Sequence, residues 1–348
     1  MTNPAPPSAL QSAITKLAHH QELTGEDAAD AFGVIMRGEA TAVQIAAMLA
    51  ALRVKGETSE IVAGVVRALR EVMVHLPSRN PDELVDTCGT GGGAVTTFNI
   101  STAAALLAAG AGVRIAKHGN RSFTSRCGSA DVLEALGVKI DVPLETMTAA
   151  LEDAGIVFMY APMMHPAMRH VGPIRRELGI PTVMNIVGPL ANPAGATRQV
   201  VGVADAYRVP ILAGALASLG SIHTMVVHGE PGLDEISPLG TTSVVEIRKG
   251  VAEEWVLDPK AFGIEGGSAS DLAGGGPEDN ARIITETLTG GGTRAGRGAV
   301  VLNAAAAIYL SGTTGSFGEA VEVARDALDR GLGIAALDRL RNAYSAAA

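Results

Sequence analysis

The sequence predicts an α/β protein: a small helical N-terminal domain, then a larger α/β domain whose mostly parallel central sheet is flanked by helices. Three observations predict it. Residues 8–75 carry apolar positions at helical spacing only. Beyond the Pro- and Asn-punctuated stretch 77–81, short apolar strands alternate with helices, the pattern of a parallel sheet covered on both faces. Hydrophobic residues make up 47 % of the 348 and charged residues 18 %; with 3 % aromatics, the large core must be built from Ala, Val, Leu, Ile and Met.

Each element follows in order. Four helices are expected at 8–20, 25–37, 41–54 and 58–75. The third opens with Thr41 and Gln44 at capping-box spacing and turns Ile45, Met48, Leu49 and Leu52 to one face. The fourth repeats this with Ile61, Val65, Leu69 and Val72. Strands are read at 84–87, 113–119, 156–162, 198–204 and 223–229, with an antiparallel pair at 241–250 and 253–259. Helices are read at 99–112, 129–137, 146–155, 165–178 and 208–220, then at 277–290, 298–312, 317–331 and 334–344. The expected division is 1–78 for the helical, dimerising domain and 79–348 for the α/β domain, with some middle helices packing on the helical one.

The net charge of −9 argues against a general nucleic-acid binder, which carries a basic patch. Cys88 and Cys127 are far apart, without metal-ligand spacing, so no disulfide framework is expected and a reducing cytoplasm fits. The first twenty residues show no basic segment followed by an apolar one, and no apolar run reaches membrane-spanning length. Neither a signal peptide nor a membrane partner is expected.

Four stretches carry chemistry. "DTCGTGGGAVTTFNIST" (86–102) runs strand, Gly-rich turn, helix N-terminus, where free amides and the helix dipole favour an anion such as phosphate. It reads equally as a simple turn with Asn99, Ser101 and Thr102 as helix caps. It is neither a P-loop nor the dinucleotide fingerprint. "AKHGNRSFTSRCGSAD" (116–131) gathers Lys117, Arg121, Arg126 and several hydroxyls after a strand, able to cradle phosphate and ribose oxygens; alone it could be a solvated loop. "GLDEIS" (232–237) offers adjacent carboxylates, Asp234 and Glu235, suited to Mg²⁺ shared with substrate phosphates, or to an acidic turn. "HPAMRHVGPIRRELGIPTVMNIVGPLANP" (165–193) offers arginines able to capture a carboxylate.

Taken together, "GTGG", "NIST", "KHGNR", "GSADVLEALG", "HPAM", "NIVGPLANP" and "GLDEIS", in this order and at these separations, resemble the anthranilate phosphoribosyltransferases of tryptophan biosynthesis. The resemblance covers nearly the whole chain. It implies the helical-plus-α/β fold, a homodimer through the helical part, and transfer of phosphoribosyl from its diphosphate to anthranilate with Mg²⁺. It implies that Gly89, Gly92 and Gly93 line diphosphate and anthranilate, that Thr97 contacts the diphosphate side, and that Asn99, Ile100, Ser101 and Thr102 hold phosphate groups. It assigns Lys117, His118, Gly119, Asn120, Arg121, Ser122, Phe123, Thr124, Ser125 and Ser129 to the phosphoribosyl diphosphate. Asn120 and Arg175 face anthranilate, the Arg reading its carboxylate, while His118, His165 and Pro189 line the aromatic route. Ser101, Asp234 and Glu235 take the metal.

The family's glycine loop usually ends in Asp, and here that place is Gly93. Any magnesium near this loop must rely on diphosphate oxygens, Ser101 and water, with Asp234 and Glu235. Lys117 and Arg121 are the expected transition-state charges, and no essential general base is evident. Two rivals are a pyrimidine nucleoside phosphorylase-like enzyme, recognised by phosphorolysis of nucleosides, and a non-catalytic nucleic-acid-binding relative. The negative charge speaks against the latter.

Overall fold

The computed structural model describes residues 7–122 and 126–345. The chain opens with α1 (Ala9–Ala18), α2 (Gly25–Met36), α3 (Ala42–Lys55) and α4 (Ser59–Val72). Capping boxes start the first three, among them Thr41 with Gln44. The α/β part follows: β1 (Val85–Gly89), α5 (Ile100–Gly110), β2 (Ile115–Gly119), α6 (Ser129–Ala135), α7 (Leu144–Asp153) and β3 (Ile156–Tyr160). Next come α8 (Ala161–Met164), α9 (Gly172–Leu178), β4 (Arg198–Gly202), α10 (Val209–Ser218) and β5 (His223–Gly229). The antiparallel hairpin is β6 (Thr242–Arg248) and β7 (Val251–Leu257), and the chain closes with α11 (Pro277–Leu288), α12 (Arg294–Ser311), α13 (Phe317–Asp329) and α14 (Leu332–Ser345).

The strands form one seven-stranded sheet in the order β3-β2-β1-β4-β5-β6-β7. The first five run parallel, and β6 and β7 run antiparallel. Strand order reverses between β1 and β4, where Gly89 pairs with Gly202. In parallel sheets ligands bind at such a switch point, outside the carboxyl ends of the strands.

Alternation along the strands builds two cores. Val200, Met225, Val227 and Val244 point to one face, packed with α5, α6, α7 and α11–α14. Val201, Val226, Val245 and Ile247 point to the other. There they share a core with Leu212 and Leu216 of α10 and with Ala28, Val62 and Val66 of the N-terminal helices. The N-terminal helices therefore do not close on themselves; they complete one cover of the sheet.

One expected element is corrected. Residues 165–178 do not form a single helix: a 3-10 turn at Pro166–His170 precedes the short α9. Pro166 pushes His165 away from helical dihedrals, and Pro173, which lacks a backbone donor, falls in the first turn of α9, where no donor is needed, so the chain restarts a helix there. Among the described residues, no helix is long and apolar enough to cross a membrane.

Candidate active site

The site is assembled where β1, β2, β4 and β5 end. After β5 the chain folds back so that Asp234 and Glu235 lie over the ends of β1 and β4. Glycine makes the approach feasible. A Cβ at Gly89 would stand 2.7 Å from Asp234 Oδ2, and one at Gly202 would be driven into the Asp234 carbonyl. The glycine loop then grips this segment: Ala94 N donates to Gly232 O at 2.9 Å, and Gly91 N donates to Asp234 Oδ2 at 2.9 Å. Gly91 and Gly92 take φ of +69° and +81°, in the left-handed region.

Glu235 reaches α5. Its Oε1 accepts from Ser101 N, in the first turn of that helix, at 3.0 Å. In this structure the two carboxylates therefore take up an amide of the glycine loop and an amide at the positive end of the helix, the donors an anionic ligand would seek. From below, Asn303 of α12 clamps Ile236, accepting from its N–H and donating to its carbonyl, both at 2.9 Å.

Asn99 makes no cap hydrogen bond to α5. It donates instead to Cys127 O at 3.2 Å and accepts from Asn280 Nδ2 at 2.8 Å. Ser101 and Thr102 lie within the helix, so the simple capping reading of this stretch is set aside. Thr102 Oγ1 is buried without a partner.

Lys117 is 4 % exposed. It does not stand in the open loop: its Nζ donates to Thr87 O at 2.6 Å and to Ser101 Oγ at 3.3 Å. The ammonium sits beneath the N-terminus of α5 because β2 turns this side chain into the layer between sheet and helix. Burial lowers its pKa, against the opposing pull of Asp86.

Arg121 is not brought to the carboxylates. It pairs with Asp131 at 2.9 Å and Glu134 at 2.5 Å on the exposed side of α6, over the Tyr160 ring. Asp131 also accepts from Ser122 N and Gly128 N, closing the base of this loop, and Ser129 Oγ donates to Asn120 O. Phe123, Thr124 and Ser125 lie outside the described residues.

The other wall holds His118, His165 and the turn that carries Pro189, while Arg175 stands on α9. The two imidazoles lie 4.9 Å apart. His118 Nε2 and both ring nitrogens of His165 are buried without a hydrogen-bond partner. Burial, then the neighbouring His165, lowers the His118 pKa to about 3, and burial lowers that of His165 to about 4. Arg175 is half-buried, its pKa lowered by burial, and among the described residues its guanidinium has no hydrogen-bond or ion-pair partner. Buried polar groups normally find partners, so the unpartnered His118 and His165 ring nitrogens are free to meet one. Beneath the wall, fully buried Asp86 accepts from His118 N at 3.3 Å and from Asn192 Nδ2 at 2.8 Å. Gln199 Nε2 donates to Pro189 O at 2.8 Å.

Burial raises the pKa of Asp234. Burial and then the neighbouring Asp234 raise that of Glu235 to about 8. Two carboxylates desolvated side by side are short of positive charge. Among the described residues no three His, Cys, Asp or Glu cluster for a metal. The donor set nonetheless suits Mg²⁺, which is held through one or two carboxylates together with substrate phosphates and water. Asp86, Asn192, Gln199, Asn280 and Asn303 are absent from the expected set. Asp86 and Asn192 meet across 106 residues, Asn280 and Asn99 across 181, and Asn303 and Ile236 across 67, and no local pattern signals these pairings.

Comparison with known proteins agrees with this architecture. The description "Glycosyl transferase family, a/b domain" matches residues 81–334, and "Glycosyl transferase family, helical bundle domain" matches residues 11–73. The chain is 48 % identical over 330 residues to an anthranilate phosphoribosyltransferase of Rubrobacter xylanophilus, covering 95 % of this chain and 96 % of the relative. The crystal structure of anthranilate phosphoribosyltransferase from Thermus thermophilus superposes with a TM-score of 0.89 at 42 % identity, over 96 % of this chain and 99 % of that one. The Saccharomyces cerevisiae enzyme in complex with PRPP and Mg superposes with a TM-score of 0.86 at 32 % identity, over 97 % and 98 % of the two chains. The chain belongs to the anthranilate phosphoribosyltransferase family.

Proposed function

We propose that this protein transfers the phosphoribosyl group of 5-phospho-α-D-ribose 1-diphosphate to the amine of anthranilate, in L-tryptophan biosynthesis. The bond between ribose C1 and the diphosphate oxygen breaks, the C1–N bond forms, diphosphate leaves with the bonding pair, and the proton lost from nitrogen passes to diphosphate or water. The observation that carries the reading is a division of charge. Glycine-loop amides, the α5 N-terminus, Lys117 and the carboxylate pair meet at the strand ends, with two neutral imidazoles, His118 and His165, side by side nearby; α9 carries a guanidinium, Arg175, that is unpartnered among the described residues.

Negative charge grows on the leaving diphosphate, so charge placed beforehand on that side lowers the barrier. The Gly91–Gly93 amides and the first turn of α5, including Asn99, Ile100, Ser101 and Thr102, receive phosphate oxygens. Lys117 adds positive potential from beneath. Asp234, Glu235 and Ser101 hold Mg²⁺, which when bound supplies Lewis-acid charge to the diphosphate. Asn120, Ser122 and Ser129 serve the phosphoribosyl side, together with Phe123–Ser125. Arg121, tied to Asp131 and Glu134, bears on the same loop.

Arg175 reads the anthranilate carboxylate, and Pro189, His118 and His165 flank the ring. The aromatic amine is neutral at pH 7 and attacks without prior deprotonation. The lowered pKa values make both imidazoles poor bases, in keeping with a reaction driven by positioning and leaving-group charge. The helical layer, residues 1–78, joins two copies of the chain: Val43 and Val54 on α3 are 78 % and 87 % exposed, apolar side chains that a second copy would cover.

The test follows anthranilate fluorescence on mixing protein with phosphoribosyl diphosphate over a Mg²⁺ series. Metal-dependent loss of signal is expected. No loss at any Mg²⁺ concentration overturns the assignment, and nucleoside with inorganic phosphate becomes the next pair to try.

A further inference from the structure

The turn Gly188–Leu190, which carries Pro189, is held from more than one side. Gln199 of β4 takes the Pro189 carbonyl. Asp86 of β1 holds Asn192. The third grip comes from the N-terminal helices: in the last turn of α4, Arg70 donates to Leu190 O from Nε at 3.2 Å and from Nη2 at 2.6 Å. The chain leaving α4 stays beside the same wall. Val74 N donates to Met164 O, next to His165, and Leu76 N donates to Pro193 O.

Arg70 is half-buried, burial lowers its pKa, and among the described residues it has no carboxylate partner. Desolvating a guanidinium without a counter-charge is costly, and an uncharged donor would suffice to satisfy one carbonyl. A planar fork does something more: it fixes direction as well as distance. With two donors on one oxygen, the Leu190–Ala191 peptide that follows Pro189 is tied to α4.

We propose that Arg70 is a positioning residue for the aromatic acceptor: its fork on the Leu190 carbonyl lets the helical layer set the wall against which the anthranilate ring packs. This rests on the acceptor assignment above. Among the described residues the Arg70 guanidinium bonds the Leu190 carbonyl alone, and none of the hydrogen bonds that hold Asp234 and Glu235 passes through it. Its loss therefore acts on one substrate and not the other.

The experiment measures KM for anthranilate, KM for phosphoribosyl diphosphate and kcat in Arg70→Gln and Arg70→Lys, beside anthranilate binding read directly by fluorescence. For Arg70→Gln the expected result is a rise of about tenfold in anthranilate KM, with the other two constants within about twofold. Arg70→Lys, which keeps one charged donor, recovers most of the loss. Arg70→Met repeats the test should the Gln variant fail to fold. An unchanged anthranilate KM, or a parallel change in all three constants, overturns the proposal. Wild-type protein that neither binds nor consumes anthranilate overturns the acceptor assignment itself, and the role of Arg70 with it.

Discussion

Asp234 Oδ2 accepts the Gly91 amide at 2.9 Å, and the same oxygen stands 2.7 Å from where a Gly89 Cβ would be. The carboxylate is thus wedged between the end of β1 and the loop that leaves it. The first expectation follows from that spacing. Gly89→Ala should push Asp234 off the loop, at a cost of about 1–3 kcal/mol in stability. A displacement of roughly an ångström at a reacting centre should lower kcat/KM for phosphoribosyl diphosphate by about 100-fold. A chemical melt and initial rates on one preparation check both; unchanged donor kinetics would remove Asp234 from the diphosphate side.

Gly93, where the sequence resemblance implies an Asp, is closely packed. A Cβ there would lie 2.9 Å from Gly232 O and 3.4 Å from Asp234 Oδ1. Gly93→Asp must therefore shift the 232–234 segment and add a third negative charge beside two carboxylates already short of cations. The Mg²⁺ concentration for half-maximal rate should move several-fold, with a loss of about 1–3 kcal/mol in stability. An unchanged Mg²⁺ profile would mean that residue 93 has no part in metal dependence.

The fold was legible because its signals are local. Alternation along the strands and the Thr41–Gln44 box each lie within a few residues, and both appear in the structure. The misread helix at 165–178 carried its own warning in Pro166, whose breaking effect outweighs the apolar spacing around it, and in Pro173, which suits the first turn of a new helix. The site was legible only where residues cluster in the chain, as in the glycine loop and the Asp234–Glu235 pair. Asn303, a lone amide in an apolar helix, gives no hint that it holds Ile236 across 67 residues. Nor could the chain order reveal that Lys117 turns inward to Thr87 and Ser101 while Arg121 turns out to Asp131, since β2 ends between them.

Arg175 offers a test of the acceptor side. Its guanidinium is half-buried and unpaired among the described residues, so removing it strands no partner inside the protein. Arg175→Ala should leave stability nearly unchanged and raise the anthranilate KM by roughly 10- to 100-fold, the worth of a charge-assisted hydrogen bond. The kcat should fall much less. A large loss of kcat at constant KM would contradict a carboxylate-reading role.

The two imidazoles make a prediction about pH. His118 and His165 titrate near 3 and 4 in the folded protein, against an ordinary value of 6.5, because burial disfavours their charged forms. Between those limits the unfolded chain binds protons that the folded chain refuses. The stability each contributes is fully present above about pH 6.5 and declines as pH falls towards the folded values, by up to about 1.4 kcal/mol per pH unit and group. Asp234 and Glu235, with raised pKa values, act with the opposite sign, so the wild-type curve alone is ambiguous. The difference between wild type and His118→Gln separates the two. Urea unfolding from pH 7.5 to 4.5 should show the wild type losing stability relative to the variant only below about pH 6.5. A difference independent of pH would mean that His118 is not held neutral, and that the wall facing the acceptor is wetter than its burial indicates.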